Sequence, residues 1–176
     1  MSLQNLQLSG LIMSELYKST LVSDDAVGNI PAKQGNPENV SIHHEYKFLG
    51  GNQKKIVIVV RYPDETFISE DHLQFLTKIL GACRLNLGDV AILNDSMEKI
   101  DIVRVKQQLE PSRVLLFGIE PAEIMLPISF PDFKQQAYAG SSYLYVPAIH
   151  LINQESEESK LLKRKLWDCL KKMFEV

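Results

Sequence analysis

The run Ile56-Val57-Ile58-Val59-Val60 consists only of β-branched apolar residues. A strand with one face in water alternates apolar and polar residues, whereas a strand covered on both faces does not. The run therefore predicts a strand buried on both faces, as in the parallel sheets of α/β proteins. Pro63-Asp64-Glu65 ends this strand, because Pro lacks a backbone donor and acids favour loops.

Strand-like and helix-like segments alternate along the rest of the chain. Ser69 is a predicted N-cap for a helix over 73–80, which Gly81 is expected to end. Residues 97–109 fit a helix or a strand, and 136–146 fit one or two strands around Gly140. The remaining predicted elements are strands over 90–93 and 114–117, a short helix led by Pro121, and a helix over 159–174. This alternation predicts an α/β fold, a three-layer α/β/α sandwich with a mostly parallel central sheet.

Residues 1–54 are patterned more weakly. Leu3, Leu6 and Leu8 predict a short helix that Gly10 ends, and 23–41 resembles a loop. Residues 46–49 and the strand after Lys55 are expected to form a hairpin. The prediction is one compact domain, with 1–54 as an N-terminal segment and 55–176 as the α/β core.

Composition bounds the function. The chain has 176 residues, 45% hydrophobic and 23% charged, with a net charge of −3, so no global field attracts nucleic acid. No signal sequence or membrane-length apolar run is present, which predicts a cytoplasmic protein without a membrane partner. Cys83 and Cys169 are too few for an iron–sulfur cluster, and His43-His44-Glu45 lacks further metal ligands. We therefore expect no cofactor and no metal.

In a parallel sheet, ligands bind beyond the carboxyl ends of the strands. The candidate side chains there are Asp64 and Glu65 after the first strand, Asn94 after the second, and His150 after the last. Asp64 or Glu65 is a candidate general base, and His150 a candidate acid–base group. The structural alternatives are solvated loop acids, an N-cap role for Asn94, and a hydrogen-bonded surface histidine, and these are favoured.

The final helix combines basic residues with the single Trp of the chain. Its positive charges could contact DNA phosphates, although interspersed acids favour a solvated face. Trp167 is a candidate partner contact, but its place beside Leu166 and Leu170 favours packing against the sheet. The basic residues are Lys160, Lys163, Arg164, Lys165, Lys171 and Lys172.

The order of these motifs resembles the uracil-DNA-glycosylase-like fold. The matching segments are 60–64, the helix over 73–80, 92–94, 111–118, 146–148 and 165–167. The resemblance places the catalytic carboxylate position on Arg61 and the catalytic His position on Val146, while Pro63 and Pro147 are kept. Neither Arg61 nor Val146 could stabilise a departing uracil or activate water. The resemblance therefore implies the fold without the activity.

The psi-subunit family of DNA polymerase III, a non-catalytic branch of that fold, resembles this chain better. The residues that carry the resemblance are 6–11, 146–149 and 165–167. It implies a clamp-loader accessory protein whose N-terminal Leu3, Leu6, Leu8 and Leu11 bind the loader's ATPase subunits. A chi-like subunit would link it indirectly to single-strand-binding protein, and direct DNA contact stays open.

Three functions follow from the sequence. The leading one is a non-catalytic, psi-like interaction subunit in DNA replication. The alternative is a divergent uracil or nucleobase DNA glycosylase that uses Asp64, Glu65, Asn94 or His150. The third is a homodimerising domain with no such role.

Overall fold

The computed structural model describes residues 45–176. The strands are β1 (Leu49–Gly50), β2 (Ile56–Val60), β3 (Val90–Asn94), β4 (Arg113–Phe117), β5 (Gln135–Tyr138) and β6 (Ser141–Val146). The helices are α1 (Glu70–Ala82), α2 (Ile102–Leu109), α3 (Ile149–Ile152) and α4 (Glu157–Phe174). Single 3₁₀ turns lie at Leu87–Asp89 and Pro121–Ile124.

The six strands form one mixed sheet in the order β1-β3-β2-β4-β6-β5. The four inner strands are parallel, and β1 and β5 pair antiparallel at the two edges. Ile58 at the middle of β2 aligns with Ile92 on one side and Leu115 on the other. The α/β class predicted from the sequence is confirmed.

The core lies in two clusters because alternate strand residues point to opposite faces of the sheet. Ile56, Ile58 and Val60 pack in one cluster with residues of α1 and α4. Val57 and Val59 pack in the other with residues of α2 and the Pro121–Ile124 turn. All five β2 residues are at most 1% exposed, so the prediction of a strand buried on both faces is confirmed.

The predicted hairpin between 46–49 and β2 is wrong. Strand β1 pairs instead with β3, with Leu49 opposite Ile92. Residues 51–54 then run beside the Leu87–Asp89 turn, where the Asn52 N–H donates to the Val90 carbonyl oxygen at 3.0 Å. At Gly50, where φ is 114°, an added Cβ would lie 2.2 Å from the same oxygen. The close approach of the two backbones at Gly50 fits the pairing of β1 with β3. The turn-like composition of residues 50–53 does not reveal this approach.

Two helix boundaries are placed by the structure differently from the sequence prediction or more sharply than it. Ser69 is the N-cap residue of α1, as predicted, but Gly81 lies inside the helix, which continues to Ala82. Residues 97–109 contain a helix only from Ile102, because the Asp101 carboxylate accepts a hydrogen bond from the Val103 N–H at 2.8 Å.

Both strands around Gly140 form, and this glycine has the positive φ of their turn. Within residues 45–176, no helix has the length and apolarity to cross a bilayer.

Candidate functional site

The carboxyl ends of the four parallel strands meet at one edge of the sheet. Strand β2 continues through α1 to β3 on one side, whereas β4 leads to β6 on the other. The crevice between β2 and β4 is therefore the topological switch point, the usual ligand site of such sheets. The residues that follow these two strands, beginning with Arg61 and Gly118, surround it.

A charged cluster of four side chains joins the segments that follow β2, β3 and β4 at this edge of the sheet. The Arg61 guanidinium donates to Asp95 Oδ2 at 2.8 Å and to Glu123 Oε2 at 2.6 Å. Lys99 Nζ lies 3.0 Å from the same Asp95 oxygen. We call Arg61, Asp95, Lys99 and Glu123 the Arg61 cluster. Two cations and two carboxylates neutralise one another in it.

The Asp95 side chain is the buried centre of this cluster, with 3% of its surface exposed. Burial by itself would raise the pKa of Asp95, but the Ile100 N–H, Arg61 and Lys99 together hold it below its usual value. The hydrogen bond from Arg61 likewise lowers the pKa of Glu123. The same bond to Glu123 raises the pKa of Arg61. These three shifts all favour the charged forms of Arg61, Asp95 and Glu123.

Asn94 is a buried clamp on the loop after β2. Its Nδ2 donates to the carbonyl oxygens of Tyr62 and Glu65, each at 2.7 Å. Its Oδ1 accepts from the N–H groups of Tyr62 at 2.9 Å and Ser96 at 3.1 Å. The bond from the Ser96 N–H is a cap of the turn that directly follows β3, whereas helix α2 begins later and is capped by Asp101. Asn94 uses both its donor and its acceptor capacity on backbone, which leaves little for a ligand.

A second polar group lies on the other face of the sheet, at the start of α1. His72 Nδ1 is 2.8 Å from the Tyr62 hydroxyl and 2.9 Å from the Ser69 hydroxyl. Ser69 thus bonds the His72 ring and gives no side-chain cap to its helix. Burial lowers the pKa of His72, and nearby His150 lowers it further. Burial raises the pKa of Tyr62 to about 12.

Sequence reasoning missed this Tyr62–Ser69–His72 group. The signal available was the spacing of three between Ser69 and His72 in the first helical turn, which brings the two side chains together. The contribution of Tyr62 has no such signal, because it comes from the loop after β2 and depends on the Asn94 clamp.

The candidate enzyme residues do not form one constellation. Asp64 and Glu65 are exposed in the loop between β2 and α1, and His150 is exposed in α3. His150 interacts electrostatically with His72, whose pKa it lowers. Asn94 holds this loop through its backbone, including the Glu65 carbonyl oxygen, and not through either carboxylate.

Val146, on which the resemblance places the catalytic His position, is fully buried at the end of β6. Its carbonyl oxygen accepts a hydrogen bond from the Gly118 N–H at 2.8 Å. Gly118 has φ of 67°, and a Cβ there would lie 2.7 Å from the Ala148 Cβ. The ends of β4 and β6 are therefore in direct contact, and the side chain at 146 belongs to the core.

A cavity of about 470 Å³ adjoins the end of β3. Its walls combine the end of that strand with residues near the start of α2 and residues of the loop after β2. The lining residues include Tyr46, Phe67, Leu93, Asn94, Met97 and Ile100. Glu45, Lys47, Thr66 and Glu98 also line it, so the wall combines apolar side chains with charged and polar ones.

Two further sequence predictions concern metal ligands and the N-terminal leucines. Across residues 45–176, no group of three or more His, Cys, Asp or Glu side chains is placed to hold a metal ion. The predicted partner-binding residues Leu3, Leu6, Leu8 and Leu11 lie outside the described residues.

Neither a protein-family model nor a curated protein sequence matches this chain.

Proposed function

We propose that this protein is a non-catalytic interaction module. The observation that carries the proposal is the Arg61 cluster, in which Arg61 after β2 reaches Glu123 after β4 across the switch point, where an α/β protein of this topology usually binds its ligand. A guanidinium that bridges two carboxylates offers neither a base nor a nucleophile. The residues that could supply those roles, Asp64, Glu65 and His150, are exposed and separate from the cluster.

The specific form of the proposal is a psi-like accessory subunit of the polymerase III clamp loader, built on a uracil-DNA-glycosylase-like fold. Its support is the motif resemblance, together with an Arg and a buried Val at the two positions where that fold would carry catalysis. In this proposal Leu3, Leu6, Leu8 and Leu11 bind the ATPase subunits of the loader. A chi-like subunit binds the folded part and leads indirectly to single-strand-binding protein.

Affinity purification of the full chain from its native cell tests this role. We expect the clamp-loader ATPase subunits to co-purify, and Leu6→Asp combined with Leu11→Asp to abolish their capture. Leu151→Asp combined with Leu161→Asp is the matched control, because it adds the same two charges at exposed positions of α3 and α4 and should leave capture intact. A purification without any clamp-loader subunit would contradict the proposal.

Incubation of the purified protein with uracil-containing DNA addresses the enzyme alternative. We expect no alkali-labile strand breaks above background. Breaks that disappear in Asp64→Asn, Glu65→Gln, Asn94→Ala or His150→Ala would replace the interaction module by a divergent glycosylase. A variant at Asn94 counts only if circular dichroism shows that it is folded, because this residue also holds the loop after β2.

A further inference from the structure

A small apolar groove lies between α1 and α4, on the face of the sheet opposite to the Arg61 cluster. Its volume is about 170 Å³, enough for one large apolar side chain. Both helices contribute to its walls, and we call it the α1–α4 groove. The lining residues are Phe75 and Ile79 from α1, and Lys163, Leu166, Trp167 and Leu170 from α4.

The border of this groove is positively charged. Lys163 Nζ lies 5.8 Å from the centroid of the Phe75 ring, and Lys171 Nζ lies 5.9 Å from that of Trp167. None of the lining residues is acidic. Lys171 pairs with Asp168 at 2.9 Å, but both side chains are substantially exposed, and such pairs contribute little. An incoming carboxylate can therefore replace Asp168 at small cost.

We propose that the α1–α4 groove binds an acidic protein segment that inserts one large apolar side chain. The apolar side chain would pack between Phe75 and Trp167, where aromatic rings give large contact area. Carboxylates on either side of it would meet Lys163 and Lys171. The inference goes beyond the proposed function, because it rests on a different surface and holds whichever complex the protein joins.

Single-stranded nucleic acid fits this surface less well. Stacking sites for single strands come with a continuous basic track for the phosphates, whereas Lys163 and Lys171 flank this groove only locally. Glu157 and Asp168 also lie along the exposed side of α4 and would repel a continuous phosphate backbone. A short acidic segment needs only the local charges at the groove.

Trp167 is the single Trp of the chain and reports on the groove directly. The test titrates the full chain with a short capped peptide in which one Phe is flanked by Asp and Glu. We expect a saturable change in Trp167 emission that weakens with added salt. Replacing the peptide's Phe by Ala, or its acids by Lys, should weaken binding about tenfold or more.

Charge reversal at the groove provides the decisive variant. Lys163→Glu with Lys171→Glu should weaken the acidic peptide about tenfold and improve the Lys-flanked peptide. Lys165→Glu with Lys172→Glu makes the same charge change elsewhere on α4, with Lys165 near Phe133 instead of the groove. This control should change the affinity less than about twofold at physiological salt. Circular dichroism checks that both variants are folded.

Three results would overturn the inference. They are equal binding of acidic and Lys-flanked peptides, no change in Trp167 emission with any peptide, or tighter binding of oligothymidylate in competition with the acidic peptide. Each is independent of the clamp-loader purification, so failure here and failure of the proposed function can be told apart.

Discussion

At the residue scale, Asp95 shows how a buried carboxylate is made tolerable. An isolated charge in the core would shift its pKa until it was neutral. Asp95 stays charged because its Oδ1 accepts from the Ile100 N–H at 3.0 Å and its Oδ2 meets Arg61 and Lys99. The lysine and arginine are partly exposed, so most of the desolvation falls on the aspartate alone.

Asp95→Asn should lower the free energy of unfolding by about 2 kcal/mol at neutral pH, since it removes a buried partner of two cations. The folded-state pKa of Asp95 is lowered, so its contribution is present above the unfolded value of about 3.9 and lost as pH falls through the folded value. Urea unfolding at neutral pH and near pH 3 measures both effects. A destabilisation that is the same at both pH values would contradict this account.

Asn94→Ala should cost about 2–3 kcal/mol, because it leaves backbone groups of the loop after β2 without their buried partner. Asn94→Asp is the informative comparison. It keeps the acceptor for the Tyr62 N–H and loses the donor to the Tyr62 and Glu65 carbonyl oxygens. Urea unfolding should rank wild type above both variants, and a wild-type-like Asn94→Ala would show that the clamp is dispensable.

His72 should titrate below the ordinary value of about 6.5, because burial and His150 disfavour its charged form while Asp71 opposes them. The unfolded chain then binds more protons, so stability is lost as pH falls from about 6.5 through the folded-state pKa. NMR titration of the ring protons measures the value. His150→Gln should raise it, and a wild-type His72 that titrates at or above 6.5 would refute the assignment.

At the element scale, the ends of neighbouring strands are fixed by backbone approach. Gly118 follows β4 with a positive φ, and its missing Cβ leaves room for Ala148 after β6. The turn between β5 and β6 also needs a positive φ at Gly140, but a Cβ there would meet nothing within 4 Å. A comparison of Gly118 with Gly140 therefore distinguishes the cost of a positive φ from the cost of a steric clash.

Gly140→Ala should cost about 1–2 kcal/mol, the strain of a left-handed residue with a Cβ. Gly118→Ala should cost clearly more, because the same strain is joined by the clash with Ala148. Thermal unfolding of the two variants side by side gives the difference. Equal losses would mean that the contact between the ends of β4 and β6 relaxes without cost.

At the scale of the whole molecule, residues 42–176 form a compact unit with a sheet core on both faces. Tyr46 belongs to that core, and its hydroxyl accepts from the Asp101 N–H at 2.9 Å. A chain that begins at residue 42 therefore keeps this first anchor. The size of such a unit is within the range that folds without disulfides or metals.

We expect the 42–176 chain to unfold in one cooperative transition, with Trp167 emission and far-UV circular dichroism giving coincident curves. A chain that begins at residue 55 removes β1 and Tyr46 and should be markedly less stable, since β3 loses its edge partner. Non-coincident curves for the 42–176 chain would show that it is not an independent folding unit.

The α/β class, the buried strand β2 and the last helix could be predicted because they depend on local periodicity. Residues 56–60, 90–93 and 114–117 are apolar runs of strand length, and Leu166 and Leu170 repeat at helical spacing. The pairing of β1 could not be predicted, since Gly50 and Asn52 form their contacts with a segment almost 40 residues later. The Arg61 cluster could not be predicted either, because Arg61, Asp95 and Glu123 are far apart in the sequence.

The sequence by itself determined most of the helices and strands. It also determined that Arg61 and Val146 stand where the resemblance would place a carboxylate and a His. Only the tertiary structure decided that Arg61 bridges Asp95 and Glu123, that Asn94 clamps the loop after β2, and that α1 and α4 enclose a groove. The physical reason is range. Propensity and periodicity act within a few residues, whereas charge pairing and packing join side chains that meet only after the sheet has formed.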